Sequence, residues 1–142
     1  MFTVRVCAVI RRGDEVLLNL DTQLPDPHWV LPGGRARFGE PTRDGAVREV
    51  REEIGVEPRL ERLLWVVDLF FGDTHSLELF WLASLDADSA PMCASAPFSS
   101  PEDDRFILEW HRVDALPRLL PVFLPEVLRA LPEEPTYVVC VE

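Results

Sequence analysis

The chain contains no lysine: all 14 of its basic residues are arginine. That excludes lysine Schiff-base chemistry and the P-loop, whose lysine reaches the bound phosphates. Arginine retains the forked geometry that grips phosphate and carboxylate. Cysteine is scarce as well. Cys7, Cys93 and Cys140 are widely spaced and odd in number. They fit neither a disulfide framework nor a zinc knuckle and point to a reducing, cytoplasmic setting. Cys7 and Cys140 stand in apolar, strand-like runs and read as inert buried thiols. The N-terminus lacks the basic-then-apolar pattern of a signal peptide. The strongest apolar stretch, Leu63 to Phe71, is broken by Asp68 and is too short to span a bilayer, so no membrane partner is expected.

What is present suits one globular domain over residues 1–142. Hydrophobic residues make up 47% and charged ones 27%, enough apolar surface for a core and too much for disorder. The 25 acidic residues outnumber the basic ones and give a formal net charge of -11. Such a field repels phosphate backbones, which excludes long nucleic acid as a partner. A small phosphate ester is still compatible with it, provided divalent cations bridge the two.

Aliphatic and β-branched residues dominate Thr3 to Ile10 and Glu15 to Leu20, and the Arg12-Gly13-Asp14 turn joins them as a hairpin. A polar loop, Asp21 to His28, leads to the short apolar step Trp29-Val30-Leu31, and Pro32-Gly33-Gly34 is expected to stop regular structure. The pattern then predicts a helix over Arg43 to Ile54, N-capped by Thr42 and ended by Gly55. Leu63 to Phe71 and His75 to Leu85 read as a second strand pair around Gly72-Asp73. In the latter run Ser76, Glu78, Phe80 and Leu82 share one face. Asp86 to Asp104 is a long Ala/Ser/Pro/Asp-rich loop. Phe106 to Val113 is strand-like, Val122 to Leu131 has helical spacing with Pro125 in its first turn, and Thr136 to Val141 suggests a last strand.

Arg43 to Ile54 carries the chemistry. At about 100° per residue, Glu52 and Glu53 fall at about -60° and +40° from Glu49, so three carboxylates share one stripe. Ala46, Val47, Val50 and Ile54 form a neighbouring apolar stripe that can pack on a sheet. Arg48 flanks the acidic stripe, where it can orient a carboxylate or meet a phosphate. Like charges this close repel unless a cation sits among them. Hard ions such as Mg²⁺ use a few carboxylates plus substrate phosphates. The bland account, a solvated acidic helix face, suits the triplet taken alone.

The surrounding spacing favours the chemical account. Gly34, five residues, Glu40, seven residues, then Arg48-Glu49-Val50-Arg51-Glu52-Glu53-Ile54-Gly55-Val56 resembles, without a gap, the signature of the Nudix hydrolase family. Trp29 to Gly33 resembles the usual approach to it. The resemblance implies an α/β fold, a Nudix-type α/β/α sandwich around a central mixed β-sheet. It also implies hydrolysis of the pyrophosphate bond in a nucleoside diphosphate linked to another moiety. The cofactor implied is Mg²⁺, with Mn²⁺ as its substitute. Glu52 and Glu53 would bind the metal with help from Glu49, Glu40 would support the site from behind or by way of water, and Arg48 would hold a glutamate by an ion pair. Gly34 and Gly55 would supply room or backbone freedom.

Glu52 and Glu53 are base candidates within the helix. Outside it stand Glu102, Asp103, Asp104 and Glu109, of which Glu109 is preferred because it lies in a strand-like run. Trp29, Phe38, Phe70, Phe71 and Trp81 are candidates to stack on a base, and Arg35 and Arg37 to reach phosphate. Phe70 to Thr74 lacks the proline typical of ADP-ribose branches and the tyrosine of dinucleoside polyphosphate branches. The marks of NADH and coenzyme A branches are missing too. Homodimers are frequent in the family. Two rivals stand beside the hydrolase: a catalytically silent nucleotide-sensing module of the same fold, and an isomerase, for which no cysteine shows a reactive context.

Overall fold

The computed structural model describes residues 1–89 and 105–142. In chain order the elements are β1 (Phe2–Arg12), β2 (Glu15–Asp21), β3 (Trp29–Val30), β4 (Gly33–Arg35), α1 (Thr42–Ile54), β5 (Arg59–Phe71), β6 (Thr74–Ser84), β7 (Phe106–Arg112), α2 (Leu124–Val127) and β8 (Thr136–Val141). The strands form one mixed sheet in the order β3-β2-β1-β6-β5-β8, with β4 also on β1 and β7 also on β2. β1 runs parallel to β6, and β5 parallel to β8. The other pairings are antiparallel.

The middle of β1 is apolar at successive positions because both of its faces are covered. Val6, Ala8 and Ile10 turn to one side and meet Ala46, Val50 and Ile54 of α1. Cys7 and Val9 turn to the other, where Trp65 and Phe80 meet Leu119, Leu124 and Leu128 from the C-terminal segment. The α/β class and the layered arrangement around a mixed sheet are therefore as expected. Among the described residues no helix is long and apolar enough to cross a membrane.

Three local expectations are corrected. Gly33 and Gly34 do not stop regular structure; they pair with β1 as β4, in the register Cys7↔Gly33 and Val6↔Gly34. The reason is steric, since a Cβ at Gly33 would lie 2.3 Å from the Val6 carbonyl oxygen. Only a residue without one can press this close. Second, Pro41 rather than Thr42 is the N-cap of α1, and no side chain caps it. The extended backbone of Pro41 (φ -55°, ψ 136°) aims its carbonyl at the Gly45 N–H, 3.0 Å away, which places Thr42 inside the first turn. Third, of Val122 to Leu131 only Leu124–Val127 is helical. Pro125 supplies no N–H, and the segment is instead anchored by full burial of Leu124 and Leu128. The strand pair around Gly72 is also longer than expected at its start, with β5 beginning at Arg59. Most of the expected Asp86 to Asp104 loop lies outside the described residues, as do Cys93, Glu102, Asp103 and Asp104.

Candidate active site

α1 stands on the sheet through its apolar stripe, and this fixes the direction of its acidic stripe towards β4. Arg48 organises the cluster. Its Nε and Nη2 donate to the two oxygens of Glu40 at 2.8 and 3.0 Å. Nη1 donates to Glu49 Oε1 at 2.8 Å and lies 3.5 Å from Glu52 Oε2. Nη2 also donates to the Arg35 carbonyl at 3.2 Å. One guanidinium thus ties two helix glutamates to the loop before the helix, using the fork that suits paired carboxylates. The Arg48 contact, with help from the Arg37 N–H at 3.1 Å, holds the Glu40 carboxyl down at about 2.

The glycines make room for these side chains. A Cβ on Gly34 would fall 2.3 Å from Glu49 Oε2, and one on Gly45 would fall 2.6 Å from Glu40 Oε1. The Gly33 N–H donates to Glu53 Oε2 at 2.8 Å. Burial, together with the negative charges of Glu49 and Glu52, raises the Glu53 carboxyl to about 8 against the opposing Gly33 hydrogen bond. Gly55 ends α1 in the left-handed region at φ 76°, as its C-cap position requires.

Among the described residues no three His, Cys, Asp or Glu side chains close up as a ready-made metal cage. The donor set nevertheless fits a hard divalent ion. Glu49, Glu52 and Glu53 offer oxygen only, and the negative charges of Glu49 and Glu52, which add to burial in raising Glu53, are what a cation offsets. An ion of the Mg²⁺ type takes one or two carboxylates and completes its shell with water and substrate phosphates.

A cavity of about 350 Å³ opens beside this cluster, on the face of the sheet opposite α1. Leu31 and Arg35, on either side of Gly33 and Gly34, line it together with Cys7 and Phe80. The same short stretch thus borders the cavity and receives Glu53 and Arg48.

Not every candidate residue joins the site. Glu109 lies on β7 opposite Leu18 and sits 3.4 Å from His111 Nε2. It faces the same side of the sheet as the cavity, but β2 separates its strand from β1. No hydrogen bond or ion pair joins it to the helix glutamates. Of the aromatic candidates, Phe71 borders the cavity, whereas Phe70 stacks on His75, Trp29 packs on His111 and Phe38 is fully exposed. Trp81 packs with the cluster beneath α1, under Arg43. Arg35 reaches the cavity wall. The buried thiols Cys7 and Cys140 are unpaired, as expected. Sequence reasoning passed over Arg5, Ser76 and Glu78, all of which line the cavity. The available signal was an acidic residue sharing a strand face with Phe80.

A NUDIX domain family model matches residues 1–131. The chain is 33% identical over 112 residues to diphosphoinositol polyphosphate phosphohydrolase 3-alpha of Mus musculus, covering 75% of this chain and 68% of that protein. Its fold resembles that of a MutT NUDIX hydrolase from Burkholderia pseudomallei, with a TM-score of 0.71 and 29% identity over 91% of this chain and 97% of the other. An ADP-ribose pyrophosphatase from Streptococcus suis shares the fold at a TM-score of 0.65 and 21% identity, covering 95% and 98%. Family match, sequence relative and fold agree with the gapless helix signature: the chain belongs to the Nudix hydrolase family.

Proposed function

We propose that the protein is a Mg²⁺-dependent pyrophosphohydrolase, with Mn²⁺ as an effective substitute, that cleaves a nucleoside diphosphate linked to another moiety. The observation carrying this reading is the Arg48 fork, which gathers Glu40, Glu49 and Glu52 beside the Gly33–Glu53 contact. Glu49, Glu52 and Glu53 are the residues to hold the ion. When bound, it supplies neutralisation of phosphate charge and a lowered pKa for an attacking water. Arg48 and Glu40 are positioning residues, and Gly34 leaves the space that Glu49 fills. Glu52, held among the described residues only by the 3.5 Å ion pair, is the helix carboxylate freest to accept a proton from water. Glu109 is the alternative base outside the helix.

The sequence relatives are named for diphosphoinositol polyphosphates. A net charge of -11 and the absence of lysine disfavour so anionic a substrate here. A panel of nucleoside diphosphates and triphosphates, nucleotide sugars, dinucleotides and diphosphoinositol polyphosphates, incubated with Mg²⁺ or Mn²⁺ and scored for products, tests the proposal. Metal-dependent release of phosphate or nucleoside monophosphate is expected. Glu52→Gln and Glu53→Gln should each lower kcat by about two orders of magnitude or more with the fold retained by circular dichroism. Unchanged turnover in both variants would refute the assigned roles. A comparable loss in Glu109→Gln alone would move the base outside the helix.

A further inference from the structure

A second hollow, of about 380 Å³, lies where the end of β4 and the loop before α1 pass the start of β1. It shares Arg35 with the cavity that Cys7 and Phe80 line, and Glu40 with the Arg48 network. Phe2, largely exposed, and Phe38, fully exposed, stand in its wall. Between Arg35 and Phe38, Arg37 is engaged through its backbone, whose N–H donates to Glu40 Oε1 at 3.1 Å. Among the described residues the guanidiniums of Arg35 and Arg37 make neither hydrogen bond nor ion pair. Apart from Arg129, every other arginine has a carboxylate or a backbone carbonyl as partner. Glu40, in the same wall, is taken at both oxygens by Arg48. Two uncompensated cations thus share one hollow of a chain whose net charge is -11.

We infer that Arg37 is a specificity-determining residue that holds a phosphate monoester carried by the substrate's second moiety, the one beyond the diphosphate. This deepens the hydrolase reading and rests on it for the placement of the diphosphate at α1. With one half of the substrate in the cavity, the other half extends past Arg35 and Glu40, the residues that the hollow shares with the site's surroundings. Beyond Glu40 in that wall stands Arg37, whose planar fork matches the oxygens of a phosphate. Phe2 and Phe38 offer apolar faces against which the carbon atoms of a sugar can rest. Charge bounds the number of such groups. A phosphate monoester carries about 1.5 to 2 negative charges, which two arginines offset. A ring bearing several phosphates would leave most of its charge unmatched in so acidic a chain. A neutral sugar would gain nothing from Arg37.

The test compares two substrates with Mg²⁺: a nucleoside diphosphate linked to ribose, and the same compound with one phosphate on that ribose. The wild type is expected to favour the phosphorylated form at least about tenfold in kcat/KM. In Arg37→Gln, at an exposed position that should not disturb folding, that preference should fall at least about fivefold. Turnover of the unphosphorylated form should stay within about twofold of wild type. Arg37→Glu should reduce the preference further than Arg37→Gln. Equal kcat/KM for the two substrates in the wild type would overturn the inference. So would an equal loss on both in Arg37→Gln, which is the mark of a structural role. An NMR titration of the metal-free protein with ribose 5-phosphate gives a readout independent of turnover. Shifts at the backbone amides of Ala36 to Gly39 are expected, and they should vanish in Arg37→Gln. Their absence in the wild type, or their persistence in the variant, would overturn the inference. If neither substrate is cleaved, the hydrolase reading fails, and the titration separately decides the role of Arg37.

Discussion

Gly33 and Gly34 are adjacent in the chain, yet a methyl group on each would meet a different obstacle. At Gly33 the obstacle is backbone, the Val6 carbonyl oxygen at 2.3 Å and Cys7 Cα at 2.8 Å. The strand pairing would have to separate. At Gly34 it is the end of the Glu49 side chain, which can swing away. Gly33→Ala is therefore expected to lose several degrees or more of Tm, as strained backbone substitutions do. Gly34→Ala should retain most of its stability but lower kcat/KM by about a hundredfold, because a displacement of about 1 Å in the carboxylate of Glu49, a proposed metal ligand, carries that penalty. Differential scanning calorimetry and steady-state kinetics on the same two proteins check the contrast. Equal losses of Tm would contradict it.

At the scale of the element, α1 carries Glu53, the residue through which pH is expected to act on the proposed metal site. Its carboxyl is raised from 4.5 in the unfolded chain to about 8 by burial and by the charges of Glu49 and Glu52. Between these values the metal-free folded chain retains a proton that the unfolded chain has released. Stability from this group is therefore complete below about pH 4.5 and is lost as pH rises towards 8. Burial of Glu78 acts in the same direction, whereas the lowered Asp21, Asp68 and Glu40 lose their contributions only at acidic pH. In chelator, Tm is expected to fall between pH 5 and pH 8. Because a divalent ion favours the ionised carboxylates, added Mg²⁺ should raise Tm more at pH 8 than at pH 5. Glu53→Gln should flatten the slope and remove most of the Mg²⁺ effect. An Mg²⁺ shift independent of pH would contradict the coupling.

For the whole molecule, the sheet depends on a cover for each face, and the two covers differ in kind. α1 is a regular helix with both ends defined. The opposite cover has only four helical residues and is held by its side chains. Leu124 and Leu128 are completely buried there, against a cluster that includes Trp65 and Phe80. Leu128→Ala is expected to lower the free energy of unfolding by about 2–5 kcal/mol, the usual range for a buried leucine. Val122→Ala, at an exposed position, should stay within about 0.5 kcal/mol. Urea titrations with unchanged m-values measure both. Similar small effects would mean that the segment does not cover the core.

The sequence by itself determined the family and the stripe of α1 on which the glutamates gather. Both reside in local spacing: glutamates three and four residues apart must share a helical stripe wherever that helix lies. The first hairpin, the Gly72 turn and the alternation that sets Ser76, Glu78 and Phe80 on one face were legible for the same reason. Only the tertiary structure decided what lies opposite each local feature. Pro32-Gly33-Gly34 reads as a breaker until β1 is set beside it, and then the missing side chains become the condition for pairing. Thr42 reads as a cap until the Pro41 carbonyl takes the first helical hydrogen bond. Arg48 could have addressed phosphate or carboxylate, and the approach of Glu40 settled its partners. Glu78 is one acidic residue in an apolar strand until β1, β5 and β6 enclose a cavity around it. Such placements depend on contacts between residues far apart in the chain, and hydrophobic periodicity carries no record of them.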